Sequence, residues 1–185
     1  MLDAATDTED PVEAFFIRTS KLRELFKFEF YFPRRAEFRE EIEKRVRERF
    51  GDWEDIVRRD EAGVRDSLND VQLLVAHGML RSFVDAYRIV ASVLAAAGAD
   101  AIDGESDFLA QCLKTGKQQL LQRRVFSEES ISKSLYQTGL QLARYRGLLT
   151  ANRAAEREEF LREFRNITDR LDAILAITLA KGDDR

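Results

Sequence analysis

The segment QRRVFSEESISKSLYQTGLQLARYRGLL, residues 122–149, carries a predicted helix together with both of its ends. Ser127 is a favourable N-cap, because its hydroxyl can accept hydrogen bonds from backbone N–H groups that the first helical turn leaves unpaired. Gly147 stands where a left-handed residue would end the helix. Between them, apolar residues recur close to the helical period at Ile131, Leu135, Leu142 and Tyr145. The segment therefore predicts a helix that begins directly after Ser127 and ends before Gly147.

The rest of the chain shows the same period in five further stretches. Its two prolines are predicted helix boundaries, because proline lacks the N–H that an interior helical turn requires. The stretches run from Pro11, with Asp10 as N-cap, to Phe26; from Pro33 to Gly51; from Ser67 to Gly98; from Asp103 or Ser106 to near Val125; and from Asn152, as N-cap, to the C-terminal tail. Together they predict an all-α protein, an irregular bundle of about six helices.

Two regions depart from this period. Phe28, Phe30 and Phe32 alternate with Glu29 and Tyr31, and a period of two is typical of a short extended segment, here near residues 28–32. Residues 52–66 are rich in charge and show no period that can be read.

Length and composition favour one domain. A chain of 185 residues that is 44% hydrophobic can bury one sizeable core, so we expect an acidic tail at 1–10, a single helical domain at 11–181 and a short tail at 182–185. With 35% charged residues and a net charge of −4, the composition is typical of a soluble helical protein and does not favour nucleic acid as a partner. The single cysteine, Cys112, has no partner for an internal disulfide and is predicted to pack in the core.

The sequence contains no recognisable export or membrane-spanning signal. Its first ten residues are acidic, whereas a secretory signal carries positive charge before an apolar run. The longest uncharged apolar stretch, Ile89–Ala99, falls well short of the roughly 20 residues that a spanning helix needs. We therefore expect a cytoplasmic location, with any membrane contact peripheral and made by an amphipathic face or by another polypeptide segment.

The sequence offers no set of residues for catalysis or metal binding. His77 is the only histidine and has no cysteine near it, whereas a metal site needs several ligands. There is no glycine-rich phosphate loop, no GxSxG elbow, no cysteine pair and no carboxylate cluster with metal-ligand spacing. We expect no catalytic residue, no metal and no cofactor, and His77 is interpreted as a structural histidine.

The segment from Lys114 to Arg146 is the strongest indication of a binding surface. It carries seven basic residues against two acidic ones, in a chain that is negative overall. Guanidinium groups hold phosphate or carboxylate by paired hydrogen bonds, so the segment can meet lipid headgroups, a phosphorylated substrate or an acidic neighbouring domain. The alternative is a solvated helical face. The candidate contact residues are Lys117, Arg123, Arg124, Lys133, Arg144 and Arg146.

Three segments in this order resemble one protein family. They are LRELFKFEFYFPRRAEFREEI at residues 22–42, LLVAHGMLRSFVDAYRIVASVL at residues 73–94, and the segment at 122–149. The chain from about Thr19 onward resembles the C-terminal region of bacterial glycerol-3-phosphate acyltransferases of the large, membrane-associated type, especially those of actinobacteria.

The resemblance implies that the chemistry resides elsewhere. The family's acyltransferase domain lies upstream and carries an HxxxxD motif, in which the histidine is the general base and the aspartate orients it. In this chain, the position five residues after His77 is Ser82, so the motif fails and we expect no activity from this chain alone. The resemblance implies an accessory helical domain that packs on the catalytic domain, in the same or a separate chain, and supports phospholipid synthesis at an anionic membrane surface.

A different interpretation is a stand-alone interaction or regulatory module. Such a module would associate with itself through apolar seams, or bind DNA through a helix-turn-helix-like arrangement around Ser127. The DNA-binding form is disfavoured because the predicted helix begins with Glu128 and Glu129, which would repel phosphate.

Overall fold

The computed structural model describes residues 10–59 and 76–182, with side chains for residues 10–58 and 78–176. Those ranges contain seven α-helices and no β-strand, so the all-α prediction is confirmed. Contacts group the chain into two compact units, Met1–Gln72 and Leu73–Arg185. Each unit has buried apolar residues of its own. The expected single domain at 11–181 stays a prediction.

The first unit contains α1 (Pro11–Phe26), α2 (Arg35–Phe50) and α3 (Trp53–Arg59). The second contains α4 (Ala76–Ala96), α5 (Glu105–Leu121), α6 (Lys133–Tyr145) and α7 (Ala154–Gly182), with a 3-10 turn, Glu128–Ser130, between α5 and α6. None of the helices in the described ranges combines the length and the apolar character that crossing a bilayer requires.

Helix α1 begins as its sequence predicts. The Asp10 carboxylate accepts a hydrogen bond from the Val12 N–H at 3.1 Å, and Pro11 occupies the first turn, where a missing N–H costs nothing. A hydrogen bond from Arg58 of α3, together with the Val12 N–H, holds the pKa of Asp10 below its usual range. The start of α1 and the end of α3 are thus joined through one carboxylate.

Trp53 forms the centre of the first unit's core. Its ring lies 5.1 Å from that of Phe15 and 5.9 Å from that of Phe16, centroid to centroid, in the tilted and edge-on geometries that aromatic pairs favour. The apolar side of α2 packs on the same cluster through Ile42 and Val46. Helix α3 lies in the region whose period could not be read, because seven residues give too few apolar positions to define one.

The extended segment expected near residues 28–32 is wrong. The chain turns after α1, and the Phe26 carbonyl accepts hydrogen bonds from the N–H groups of Glu29 and Phe30 at 2.9 and 3.0 Å. Two of the alternating phenylalanines, Phe30 and Phe32, belong to a series of edge-on ring contacts that runs from Phe26 to Phe38 on α2. The alternation therefore reflects aromatic packing around a turn between two helices.

Helix α4 is the axis of the second unit, as predicted, and packs against α5, α6 and α7. Its residues Tyr87 and Val90 are fully buried. Helix α6 approaches them closely because it presents Gly139, where a Cβ would lie 3.1 Å from Val90 and 3.2 Å from Tyr87. On the side of α7, the Phe164 ring meets the Tyr87 ring at 5.7 Å, centroid to centroid.

Arg157 of α7 is fully buried and ties two loops together. It donates hydrogen bonds to the carbonyl oxygens of Gly98 (2.8 Å), Leu148 (2.8 Å) and Thr150 (3.1 Å). These acceptors lie in the α4–α5 and α6–α7 connections. A guanidinium group can serve several carbonyls at once because its donors point in fixed, different directions. The charge is thereby solvated by backbone dipoles.

Several predicted helix ends are correct and others need correction. Gly147 has φ 70° and ends α6, with the Leu148 N–H donating to the Ala143 carbonyl as in a Schellman motif. Helix α5 begins after Gly104, not after Asp103 or Ser106, and ends at Leu121, before Val125. Asn152 is left-handed, with φ 62°, and stands outside α7, whose first turn bonds to the Arg153 carbonyl.

The start of α6 is the largest correction. Ser127 precedes only the 3-10 turn Glu128–Ser130, and the α-helix begins at Lys133, after Ser132. The Ser127 side chain makes no capping bond. Its hydroxyl instead bonds to Glu129, and lies 3.5 Å from the hydroxyl of Ser82 on α4. A tertiary contact therefore replaces the local cap that the sequence predicts.

Candidate functional site

The connection that leaves α5 holds the most distinctive exposed surface of the second unit. We call residues 121–126 the basic loop. At its start, the N–H groups of Arg123 and Arg124 donate to the carbonyls of Leu120 and Gln119, both at 2.9 Å, which is the Schellman arrangement. Arg123 has φ 56°, a left-handed conformation in which a side chain is costly. The chain thus turns sharply at an arginine where glycine is the usual residue.

Helix α4 anchors the backbone of this loop from below. The N–H of Phe126 donates to the carboxylate of Asp85 at 2.9 Å, and the guanidinium of Arg88 donates to the carbonyl of Arg124. Val125, between them, is buried. The loop is therefore held by its backbone and by the buried side chain of Val125, and its other side chains are exposed.

Asp85 is the centre of a buried charge cluster. It is fully buried, and its two carboxylate oxygens accept from Arg81 at 3.1 Å and from Arg88 at 3.3 Å. Arg81 also pairs with Asp172 of α7 and lies over the ring of Phe126. Burial works against the charge of Arg81, but its bonds to Asp172 and Asp85 outweigh that effect and raise its pKa. Every member of the cluster is engaged in holding α4, α7 and the basic loop together.

The side chains of the basic loop other than that of Val125 are exposed. Arg123 and Arg124 both face solvent and form no ion pair among the described residues. Leu121 is 85% exposed and Phe126 is 59% exposed, large values for apolar side chains in a folded unit. Sequence reasoning missed these two, because Leu121 fits the helical rhythm of α5 and Phe126 stands next to a buried valine. Their position beside two adjacent arginines is the signal that could have found them.

The other predicted contact residues lie apart from the loop or are already engaged. Lys117 is exposed on α5, and Lys133 is exposed at the first turn of α6. Arg144 forms an ion pair with Glu105 at 2.8 Å, and Arg146 forms one with Glu163 at 2.6 Å. The structure therefore brings Arg123 and Arg124 together, and separates them from the pair at the far end of α6. Their role as contacts stays a prediction.

The geometry around Ser127 differs from a helix-turn-helix. That motif joins its helices by a turn of about three or four residues. Here the connection runs from Gln122 to Ser132 and contains the 3-10 turn. The arrangement needed for the DNA-binding interpretation is absent from the described part of this segment.

The described residues do not assemble a metal-binding centre. No group of histidine, cysteine and carboxylate side chains among them could hold a metal ion. The side chain of His77 lies outside the described residues. A cavity of about 430 Å³ opens between α4 and α5, but Asp103 and Asp107 line it, and their carboxylates would repel the phosphate of an anionic substrate.

The second unit is therefore a helical region with an exposed basic loop and a buried charge cluster whose members bond to one another. Residues 2–152 match the sequence model of a family described as the glycerol-3-phosphate acyltransferase C-terminal region. The chain belongs to this family, and the resemblance of its three segments is confirmed. No solved structure matches it significantly.

Its relatives include longer acyltransferases. The protein named "Putative acyltransferase plsB1" of Mycobacterium bovis is 39% identical over 178 residues, which cover 92% of this chain and 28% of that protein. The proteins of the same name in two Mycobacterium tuberculosis strains, CDC 1551 and H37Rv, match equally well. The chain therefore spans little more than a quarter of the length of the curated relatives it matches.

Proposed function

We propose that this chain is an accessory, non-catalytic region that packs on an acyltransferase catalytic region and supports acyl transfer to glycerol 3-phosphate. Acting in the first step of phospholipid synthesis, it would hold that catalytic region at the cytoplasmic face of the membrane. The observation that carries the proposal is the family match over residues 2–152, together with the small share of each mycobacterial relative that the chain covers.

The use of the polar side chains supports a structural role. Asp85, Arg81 and Arg88 bond to one another and to the basic loop, and Arg157 bonds to three carbonyls. A catalytic acid or base must keep an atom free for the proton of its substrate. Both carboxylate oxygens of Asp85 already accept hydrogen bonds within the fold, so neither is free for that proton.

Binding in trans tests the proposal. The mycobacterial relative would be expressed without the part that this chain matches, and the complete chain would be added as a separate polypeptide. We expect a complex that survives gel filtration. Recovery of the two polypeptides in separate peaks, each folded by circular dichroism, would reject the packing role. An Arg162→Ala/Arg165→Ala variant serves as a control, because both side chains lie on the exposed side of α7.

A further inference from the structure

The basic loop combines four exposed side chains of two kinds within six residues. Leu121 and Phe126 supply apolar surface, and Arg123 and Arg124 supply two positive charges. Leu121, at 85% exposed, stands clear of the helices around it. Amphipathic surfaces that lie in a bilayer interface have this composition, with apolar groups that enter the acyl boundary and basic groups that meet anionic headgroups.

The backbone of the loop is also held in place before any contact is made. Asp85 holds the Phe126 N–H and Arg88 holds the Arg124 carbonyl, while Val125 is buried beneath them. Because the backbone is already fixed, binding would cost little ordering entropy beyond that of the exposed side chains. Arg144 and Arg146, by contrast, are paired with Glu105 and Glu163 and offer less free charge.

We propose that the basic loop is the site at which this chain contacts an anionic phospholipid surface, with Leu121 and Phe126 inserted at the interface and Arg123 and Arg124 on the headgroups. The choice of a bilayer over a protein partner follows from the exposure and charge of the loop side chains. The exposed Leu121 and Phe126 suit a soft, deformable surface, and the two arginines complement anionic headgroups. The inference rests on the membrane placement within the proposed function, and its vesicle-binding readout uses this chain without the acyltransferase region.

Glu128 and Glu129 set the boundary of the contact. Both are exposed and follow the loop after Ser127, so they would face the same headgroups and oppose binding. The Ser127 hydroxyl bonds to Glu129 and, with the Glu129 N–H, lowers the pKa of this carboxyl, which is ionised at neutral pH in any case. Removal of the two negative charges should therefore strengthen binding to anionic headgroups, whereas removal of the loop arginines should weaken it.

The test is co-sedimentation of the complete chain with vesicles of phosphatidylcholine alone and of phosphatidylcholine mixed with phosphatidylglycerol. We expect the native chain to bind the mixed vesicles and to be released by salt. The Arg123→Ala/Arg124→Ala variant should lose roughly twenty- to thirty-fold in partitioning, as expected for two basic residues at an anionic surface. Leu121→Ala/Phe126→Ala should lose binding as well, whereas Glu128→Gln/Glu129→Gln should gain it.

Two further variants separate the effect of the loop on vesicle binding from general effects of net charge and of unfolding. Arg162→Ala/Arg165→Ala removes the same charge from α7 and should bind as the native chain does. Arg123→Gly removes one charge at a left-handed position, so reduced vesicle binding by that variant cannot be ascribed to unfolding. Equal binding by the native chain and both loop variants would overturn the proposal. So would loop variants that keep vesicle binding but no longer join the acyltransferase region, since the loop would then be a protein contact.

Discussion

The buried carboxylate of Asp85 accepts a hydrogen bond from the backbone N–H of Phe126 at 2.9 Å, across 41 positions of sequence. This bond connects the central helix of the second unit to the loop that carries the exposed side chains of Leu121, Arg123, Arg124 and Phe126. The stability of the unit and the presentation of the loop therefore depend on the same aspartate.

Replacement of Asp85 by alanine should destabilise the second unit by about 3 to 5 kcal/mol, because Arg81 and Arg88 would lose the partner of a buried ion pair and the Phe126 N–H its acceptor. Urea unfolding measures the effect. Asp172→Ala is the control, since that carboxylate is 55% exposed and pairs with the same Arg81, so its loss should cost less than about 1 kcal/mol. Equal losses in the two variants would show that Asp85 is not the centre of the cluster.

Glycine is needed at position 116 of α5 because α6 approaches α5 closely there. A Cβ at this position would overlap the hydroxyl of Tyr136, which is buried and has no hydrogen-bond partner among the described residues. Gly116→Ala should therefore destabilise the unit by about 1 to 3 kcal/mol, and adding Tyr136→Phe should recover part of the loss. Thermal unfolding monitored by circular dichroism gives both values.

Gly78→Ala provides the contrast for that prediction. Gly78 lies on α4, and nothing approaches the position of its missing Cβ within 4 Å. Alanine is the better helix former, so this variant should be more stable by up to about 1 kcal/mol. A loss of stability at Gly78 equal to that at Gly116 would mean that contact with Tyr136 is not the cause.

Arg123→Gly should raise stability by up to about 1 kcal/mol, because glycine adopts the observed φ of 56° without the strain that a side chain imposes. Gln122→Gly, one position earlier, is the matched control. Gln122 has φ −82°, so glycine there relieves nothing and adds backbone entropy to the unfolded chain. Denaturant midpoints for the two variants should move in opposite directions, and a parallel shift would contradict the left-handed assignment.

Burial raises the pKa of the Cys112 thiol from its ordinary 9.0 to about 12. The folded chain then keeps a proton that the unfolded chain releases, so this contribution is fully present below about pH 9 and is lost as the pH rises. Between about pH 8 and about pH 10 the native chain should lose about 1.3 kcal/mol more than Cys112→Ala. Urea unfolding at the two pH values checks this, and identical pH slopes for both chains would refute a buried thiol.

The helical content of the chain could be predicted because its apolar periodicity is local. Gly98 and Gly147, which have φ 58° and 70°, end α4 and α6 as the sequence indicates, since a left-handed glycine terminates a helix whatever surrounds it. The start of α6 could not be predicted in the same way. Ser127 has the residue type of an N-cap, but its hydroxyl is used by Glu129 and lies beside Ser82 of another helix.

In the candidate site, too, local features could be predicted from the sequence and tertiary contacts could not. Arg123 and Arg124 could be selected from their charge alone. Asp85 could not, because its role depends on an N–H that lies 41 residues away. Arg144 and Arg146 have the same residue type as the loop arginines, yet Glu105 and Glu163 neutralise them through contacts that the sequence does not specify.

A supporting role without catalysis can be measured through the rate of acyl transfer to glycerol 3-phosphate. This rate would be measured for the mycobacterial relative lacking its matched part, alone and with this chain added. We expect no rate from this chain alone, a higher rate when both polypeptides are present, and the same increase with a His77→Ala variant. Acyl transfer by this chain alone that disappears in His77→Ala, or no change in rate on addition of the folded chain, would overturn the supporting role.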